Sequence, residues 1–255
     1  MTSVPSVTTE QMREVDRLMI EEYGIVLLQM MENAGRSLAR LATSLAAGIL
    51  GRGVLVLAGT GNNGGGGLVA ARHLSNMGRD VRILLSGTPE ELVDVPAHQA
   101  SILHSMGIEL LAAKAMAPEL LRRAFAEADL VIDALIGYSL AGAPRGQAAS
   151  LIELANASGR PIVALDVPSG VDAGSGRLYE PSIRAAATLT LALPKTGLGA
   201  SAVRERLGDL YLADLSVPPA LYRRLELEVE PLFAEDAVVL LQWADGGWMS
   251  SGRSA

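Results

Sequence analysis

The sequence of 255 residues predicts an α/β fold in which a mainly parallel sheet is covered by helices on both faces and preceded by two further helices. Short apolar runs of the kind buried in parallel sheets alternate with segments of helical character, so the pattern is βαβα. Polar and glycine-rich segments follow these runs, at the sheet edge where such folds bind ligands. No repeat and no linker of distinct composition divides the chain.

The composition disfavours several classes of function. The chain has no cysteine, so it offers no thiol nucleophile and no thiolate metal site. Its net charge of −7 disfavours binding to nucleic acid or to an anionic membrane. The apolar runs are shorter than the roughly 20 residues that cross a bilayer, and the N-terminus lacks a signal-peptide pattern. We therefore expect a cytoplasmic protein that binds neither nucleic acid nor membrane.

The first elements are two helices within residues 9–47. Thr8 and Gln11 have the spacing of a capping box, and Gly24 separates the two helices. Apolar residues recur at helical spacing in both helices, so each has one face that packs against the rest of the protein.

The alternation of strands and helices follows. The apolar runs that predict buried strands are residues 54–58, 81–85, 130–133, 162–166 and 187–192. The segments that predict helices between them are residues 68–77, 97–106, 118–126 and 148–157. Beyond Pro231 the chain ends in a polar stretch rich in glycine and serine, so residues 232–255 are predicted to be a partly disordered extension of a domain formed by residues 1–231. The two tryptophans of this extension are interpreted as packing or crystal-contact residues and not as part of a site.

The strongest functional signal follows the first strand, where Gly59–Gly67 reads GTGNNGGGG. Consecutive glycines let backbone N–H groups converge on an anion, and a helix predicted to begin near Leu68 adds a favourable partial charge. The segment is therefore interpreted as a phosphate cradle, and the alternative is a flexible glycine turn. Because Asn62 and Asn63 lie at its centre, we expect specific side-chain contacts.

Carboxylates follow two later strands. Asp133 is interpreted either as a ligand-binding residue that opens a glycine-containing loop or as a cap of that loop. Asp166 is interpreted either as a site residue or as part of the turn before Pro168. Asn63, Asp133 and Ser169 converge at strand ends, and their oxygen atoms suit a weakly held monovalent cation.

One lysine also follows a strand. Lys195 is interpreted either as a phosphate contact or as a solvated loop residue. The three histidines lack the spacing of metal ligands.

These motifs together resemble the NAD(P)H-hydrate epimerase family, which is built on the YjeF N-terminal domain. The resemblance covers about residues 8–220, and it rests on separate motifs in the family's order: Met31–Gly35 (MENAG), the NNGGGG that follows Gly61, Asp133–Gly137 (DALIG), Asp166–Asp172 (DVPSGVD) and Pro194–Leu198 (PKTGL). It implies a three-layer α/β/α Rossmann-like sandwich that interconverts the R and S forms of NADH or NADPH hydrated at C6 of the nicotinamide ring. It also implies a homodimer, and a separate ATP- or ADP-dependent NAD(P)H-hydrate dehydratase as the partner enzyme.

Carried over position by position, the resemblance implies a site for the hydrated dinucleotide and a site for a potassium ion. The substrate-binding residues are Asn62, Asn63, Gly64, Gly65, Gly66, Gly137, Tyr138, Ser139, Leu140, Ala141, Gly142, Ala143 and Asp166. The potassium ligands are Asn63, Asp133 and Ser169. We expect Asp166 to be the catalytic acid and base, because loss and return of the C6 hydroxyl requires a proton to move on and off its oxygen.

One position departs from the family pattern. The family segment ordinarily reads GNNGGDG, and Gly66 stands where the aspartate would be. If that aspartate takes part in proton transfer, activity falls by roughly 10²- to 10⁴-fold. The alternative hypothesis is therefore a catalytically weakened dinucleotide-binding or partner-binding module. A conventional NAD-dependent dehydrogenase is a weaker hypothesis, because no GxGxxG fingerprint is followed by an acidic residue after the next strand.

Overall fold

The structure is a computed structural model that describes residues 1–46, 51 and 53–254, with the side chains of residues 251–254 left out. The α-helices of the described residues are α1 (Thr9–Glu21), α2 (Leu27–Leu45), α3 (Asn62–Asn76), α4 (Asp94–Ser105), α5 (Pro118–Glu127), α6 (Gly146–Ala157), α7 (Ser201–Leu207) and α8 (Pro219–Arg224). The strands are β1 (Thr2–Val4), β2 (Gly53–Ala58), β3 (Asp80–Leu85), β4 (Leu110–Ala112), β5 (Leu130–Ala134), β6 (Ile162–Leu165), β7 (Ala187–Leu191), β8 (Asp209–Ala213), β9 (Val238–Ala244) and β10 (Gly247–Ser254). Residue 47, the predicted end of the second helix, and residue 255 lie outside the described residues.

The strands form one twisted sheet in the order β1-β10-β9-β8-β7-β6-β5-β2-β3-β4. All neighbours from β8 to β4 are parallel, and β9, β10 and β1 extend the sheet in antiparallel fashion. The predicted mainly parallel sheet is confirmed. Because the chain leaves β2 for β3 on one side and later returns to β5 on the other, the strand order reverses between β2 and β5, where α/β folds open a crevice for ligands.

Alternate residues of β2 face different layers, which makes the fold a three-layer sandwich. Val54, Val56 and Ala58 pack with residues of α2 and α3 on one face. Leu55 and Leu57 pack with residues of α5 and α6 on the other. Each such buried aliphatic side chain contributes about 1.5–3 kcal/mol of transfer free energy. Among the described residues, no helix is long and apolar enough to cross a bilayer.

The two N-terminal helices are confirmed. Gln11 N–H donates to Thr8 Oγ1 at 3.1 Å and Thr8 N–H donates to Gln11 Oε1 at 2.9 Å, so the predicted capping box is formed. The apolar face of α1, which includes Met12 and Met19, belongs to a third buried cluster with residues of β8, β9 and α8. The helices thus cover the sheet next to the strand ends at which the functional motifs lie.

The C-terminal segment differs from the prediction. β9 and β10 form a hairpin that pairs with β8 and with β1, so the expectation of disorder is wrong for these strands. Asp245 and Gly246 form its two-residue turn with φ of 52° and 80°, the positive values that a type I′ turn requires. This Asp-Gly pair is a hairpin signal that the glycine-rich composition obscured. Trp243 and Trp248 face each other with ring centroids 5.0 Å apart, which confirms their packing role. The boundary between domain and extension stays a prediction.

Candidate active site

A pocket of about 480 Å³ opens where β2, β5 and β6 end, beside the reversal of strand order, and α1 and α2 contribute its opposite wall. Its apolar lining consists of Met12, Leu27, Met30, Met31, Ala34, Leu135, Ile136, Leu165, Leu191 and Leu215. Its polar side chains are Asp16, Asn62, Asn63, Tyr138, Ser139, Asp166 and Lys195. A concave, mainly apolar surface with a few convergent polar groups is typical of a small-molecule site.

The glycine-rich segment is not the loop that the sequence predicts. α3 begins at Asn62 and not near Leu68, so Gly64–Gly67 form its first turns and are buried. A Cβ atom on Gly67 would lie 2.6 Å from Cβ of Ala134, closer than carbon atoms pack. The glycines therefore let α3 approach the sheet closely. This packing outweighs the cost of glycine in a helix, which is about 1 kcal/mol per residue relative to alanine. The interpretation as a flexible glycine turn is wrong.

The N-terminus of α3 lies at the pocket. Gly61, Asn62 and Asn63 line it, as does Gly66 one turn further on. Gly64 and Gly65 lie beneath the wall of the pocket, because a Cβ atom on Gly65 would lie 2.7 Å from the sulfur of Met31. Free N–H groups in the first turn of a helix favour an anion, so the interpretation as a phosphate cradle stays a prediction that the geometry allows.

The loop after β5 contributes the next part of the wall. Gly137, Tyr138 and Ser139 line the pocket, whereas the predicted substrate residues 140–143 are not among its lining residues. The Tyr138 N–H donates to Asp166 Oδ2 at 3.1 Å, and the Tyr138 hydroxyl donates to Asp16 Oδ2 at 2.7 Å. The loop is therefore held between the residue that follows β6 and the helix α1.

Asp166 lies at the floor of the pocket and is 3% exposed. Its φ of 68° is in the left-handed region, which is unfavourable for a residue with a side chain and is typical of functional sites. Lys195 forms an ion pair with Asp166 Oδ1 and also donates to the Leu191 carbonyl at 3.0 Å. The Lys195 side chain is 1% exposed, so its interpretation as a solvated loop residue is wrong. The buried lysine neutralises a carboxylate, and a phosphate contact stays a prediction.

Asp133 is fully buried behind the wall of the pocket and has uncharged partners. Its Oδ1 accepts from Ser169 Oγ at 2.7 Å and from Leu135 N–H at 3.2 Å, and its Oδ2 accepts from Ser169 N–H at 2.8 Å. Burial raises the pKa of Asp133 to about 6, although these hydrogen bonds oppose the shift. Asp133 therefore caps its own loop, as one interpretation holds, and ties that loop to Ser169 in the loop after β6.

The structure brings two of the three predicted cation ligands into direct contact, namely Asp133 and Ser169. Asn63 and Asp166 both lie beside Gly137. A Cβ atom added to Gly137 would be 3.0 Å from Asn63 Oδ1 and 3.2 Å from Asp166 Oδ2. The Nδ2 atom of Asn63 is buried without a hydrogen-bond partner. Among the described residues, no group of three or more His, Asp or Glu side chains is arranged to hold a metal ion.

Sequence reasoning did not single out one site residue, Asp16. It is partly buried on α1 and lines the pocket with its carboxylate on the Tyr138 hydroxyl. Burial raises the pKa of Asp16, and this effect outweighs the hydrogen bond from Tyr138, which lowers it. The available signal was the helical spacing, which places Asp16 one turn after Met12 and next to Val15 on the buried stripe. A carboxylate at such a position is costly unless it is hydrogen-bonded, and the Tyr138 hydroxyl supplies a hydrogen bond here.

The fold and the pocket define a class of protein: a Rossmann-like α/β protein with a small-molecule site at the switch point of its sheet. The model of the family described as "YjeF-related protein N-terminus" matches residues 27–197, and the chain belongs to this family.

Similar proteins agree with that assignment. An NAD(P)H-hydrate epimerase of Dehalogenimonas lykanthroporepellens is 48% identical over 227 residues, which are 89% of this chain and 88% of the relative. A bifunctional NAD(P)H-hydrate repair enzyme of Moorella thermoacetica is 38% identical over 84% of this chain, which spans only 41% of that longer relative. The crystal structure of the yeast protein ynu0, YNL200c, superposes with a TM-score of 0.79 at 27% identity, over 93% of this chain and 100% of the yeast chain.

Proposed function

We propose that the chain is an NAD(P)H-hydrate epimerase, an isomerase that interconverts the R and S forms of NADH or NADPH hydrated at C6 of the nicotinamide ring. The observation that carries the proposal is the buried Asp166–Lys195 pair at the floor of the pocket. The reaction needs a group that moves a proton to and from one oxygen of the substrate, and a buried, hydrogen-bonded carboxyl group is suited to this role. Relatives that cover nearly the same length are named for the same activity.

The pocket supports a placement of the substrate. The hydrated nicotinamide ring enters between the apolar wall formed by Met12, Met30 and Leu215 and the Asp166 carboxylate. The diphosphate lies at the N-terminus of α3 beside Asn62, where backbone N–H groups and the helix dipole favour negative charge. Residues 140–143 do not line the pocket and would contact a part of the dinucleotide that extends out of it.

The chemistry assigned to this chain is a proton transfer in two directions. Within the ion pair, Lys195 passes one proton to Asp166. The C6–O bond breaks with its electron pair on oxygen, Asp166 delivers that proton to the oxygen, and the departing water molecule leaves behind a ring cation that N1 stabilises. Water then adds to the opposite face of C6 and returns one proton to Asp166, so the net reaction is isomerisation only. Lys195 holds Asp166 Oδ1 and the Tyr138 N–H holds Oδ2, which fixes the carboxyl group for both steps.

A potassium site at Asn63, Asp133 and Ser169 is part of the proposal. Asp133 and Ser169 already touch, and the Ile136 carbonyl lies 3.2 Å from Ser169 Oγ, so oxygen atoms of three residues are close together. The buried Nδ2 atom of Asn63 has no hydrogen-bond partner. Rotation of the side-chain amide by half a turn would place Oδ1, a possible cation ligand, where Nδ2 now lies. Among the residues that the structure describes, no cationic side chain is hydrogen-bonded to Asp133, and a bound monovalent cation would neutralise it and brace the two loops.

The remaining parts of the proposal concern assembly and context. We infer a cytoplasmic homodimer that uses the apolar surface of the N-terminal helices, where Ile20 and Val26 are 41% and 47% exposed. A separate chain would supply the ATP- or ADP-dependent dehydratase, an inference supported by the longer relatives that are named bifunctional repair enzymes. Light scattering of the purified protein, and of a variant with Val26→Asp, tests the homodimer.

The proposal is tested by epimer exchange. The purified protein receives R-enriched hydrated NADH, and in parallel hydrated NADPH, with and without potassium, and chromatography follows the ratio of R to S against the uncatalysed rate. Acceleration is the expected result. Retained binding without acceleration would overturn the proposal in favour of the weakened binding module, the alternative that rests on Gly66 in place of the family aspartate.

A further inference from the structure

Tyr138 is held from three sides of the pocket. Its backbone N–H donates to Asp166, its hydroxyl donates to Asp16 at 2.7 Å, and its ring lies with the centroid 5.8 Å from the ammonium of Lys195. The contact with Asp16 joins a loop and a helix that are 122 residues apart in sequence. One side chain therefore connects α1 to the buried ion pair at the floor of the pocket.

Asp16 is suited to anchor this side chain. Burial and the neighbouring carboxylate raise the pKa of the Tyr138 hydroxyl, so it remains a hydrogen-bond donor throughout the physiological range. Lys195 lowers the pKa of Asp16 and Asp166 raises it, which places Asp16 within electrostatic reach of the ion pair. A partly buried carboxylate that accepts from a partly buried hydroxyl forms a charge-assisted hydrogen bond, stronger than a neutral one.

We propose that Asp16 is a positioning residue for the epimerisation, acting through Tyr138 to hold the loop after β5 against Asp166. The proposal rests on the proposed function and deepens it. The Tyr138 N–H contact with Asp166 Oδ2 is on the same residue as the hydroxyl that Asp16 anchors, so release of the ring frees the N–H as well. Asp166 would then retain only Lys195 as a fixed partner, and its carboxyl group would lose the orientation needed for proton transfer.

The experiment compares six proteins: the wild type, Asp16→Ala, Asp16→Asn, Tyr138→Phe, the double variant Asp16→Ala/Tyr138→Phe and a control variant. Glu21→Gln is the matched control, because Glu21 also lies on α1 but its side chain is 58% exposed and pairs with Arg17. For each protein, kcat and KM of epimer exchange are measured. Hydrogen exchange of the backbone amides of residues 137–143 is recorded without substrate.

Loss of the anchor should lower kcat and leave KM nearly unchanged. Asp16→Ala and Tyr138→Phe should each lower kcat about tenfold, with the double variant no worse than either single one, because both remove the same contact. Asp16→Asn should retain most of the activity, since its amide oxygen accepts the same hydrogen bond. Faster amide exchange in the loop should accompany each loss of activity, and Glu21→Gln should match the wild type in both measurements.

Several results would overturn the positioning role. These are single variants whose kcat stays within about twofold of the wild type, a double variant whose loss is the product of the single losses, or an Asp16→Asn variant as impaired as Asp16→Ala. An inactive wild type would refute the epimerase proposal alone, because amide exchange at Tyr138 still tests the anchor. Unchanged exchange in Asp16→Ala and Tyr138→Phe would refute the anchor alone.

Discussion

Two buried aspartates stand at the ends of neighbouring strands, and their partners differ in charge. Asp133, at the end of β5, accepts hydrogen bonds from Ser169 and from backbone N–H groups. Asp166, directly after β6, forms an ion pair with Lys195 and faces the pocket. The strand end places a carboxylate at the ligand edge of the sheet in both cases, but the partner decides what that carboxylate can do.

The difference separates a bracing role from a chemical one. Asp133 lies behind the pocket wall, where its hydrogen bonds join two loops and where burial without a cation raises its pKa to about 6. Asp166 lies at the floor of the pocket, where Lys195 offsets its charge and the Tyr138 N–H donates to one of its oxygen atoms. A carboxyl group that moves a proton must reach the substrate, and of the two only Asp166 lines the pocket.

The largest expected difference between Asp133 and Asp166 is in kcat, when each carboxylate is replaced by an amide. Asp166→Asn should lower kcat of epimer exchange by roughly 10²- to 10⁴-fold with little change in KM, because the amide cannot serve as acid and base. Asp133→Asn is the matched variant at the neighbouring strand end and should lose less than about tenfold. Circular dichroism confirms that both are folded. Equal rates for Asp166→Asn and the wild type would remove Asp166 from the chemistry.

Removing the partner should separate the two aspartates in stability. Lys195→Met leaves a buried carboxylate without its cation and should lower the free energy of unfolding by about 3–5 kcal/mol. Ser169→Ala removes one neutral donor from Asp133 and should cost about 1–3 kcal/mol. Urea unfolding of both variants, with Ser101→Ala on the exposed face of α4 as a control, measures the difference. A cost for Lys195→Met no larger than that for Ser169→Ala would contradict the difference drawn between the two partners.

The sequence predicted the parallel sheet and five of its seven parallel strands, because a buried strand needs an unbroken apolar run and each of these five runs is visible locally. It missed the parallel strands β4 and β8, which were not among the predicted runs. It mispredicted the start of α3, since four successive glycines indicate a turn by propensity and only the contact of Gly67 with Ala134 makes them helical. It also missed the β9–β10 hairpin, whose stability comes from pairing with β8, a distant strand.

The candidate site shows the same division between local and distant information. Asp133 and Asp166 were visible because each follows an apolar run, whereas the burial of Lys195 depends on how the chain after β7 folds back on Asp166. Asp16 was not visible as a site residue, because its partner Tyr138 lies 122 residues away. Residue types at strand ends can be predicted from sequence, but their pairing requires the fold.

The pH dependence of the free energy of unfolding should distinguish Asp133 from the other carboxylates. Its pKa of about 6 in the folded protein exceeds the ordinary 3.8, so between these values the folded protein binds more protons than the unfolded chain. The contribution of Asp133 to the free energy of unfolding is therefore fully present below pH 3.8. It falls by on the order of 3 kcal/mol as the pH rises to about 6. Carboxylates with lowered pKa, such as Glu32, change in the opposite sense.

The difference between the wild type and Asp133→Asn removes those other carboxylates from the measurement. In urea unfolding from pH 4 to pH 7 in tetramethylammonium chloride, the free energy of unfolding of the wild type minus that of the variant should fall as the pH rises. Potassium chloride should reduce the fall, because a bound cation favours the ionised carboxylate. Identical curves in the two salts would count against the potassium site, and parallel curves for the two proteins would count against the raised pKa.

The smallest effect is expected at Gly66, where a third carboxylate would approach the pocket. A Cβ atom there would lie 2.8 Å from Cδ2 of Leu165, the far end of a flexible side chain, so Gly66→Asp should fold at a cost of about 1 kcal/mol. Because Asp166 and Lys195 already supply the acid and base, kcat should change less than about tenfold. Gly66→Ala separates the added Cβ atom from the added charge. A gain of a hundredfold or more in Gly66→Asp, absent in Gly66→Ala, would mean that Asp166 alone does not complete the chemistry.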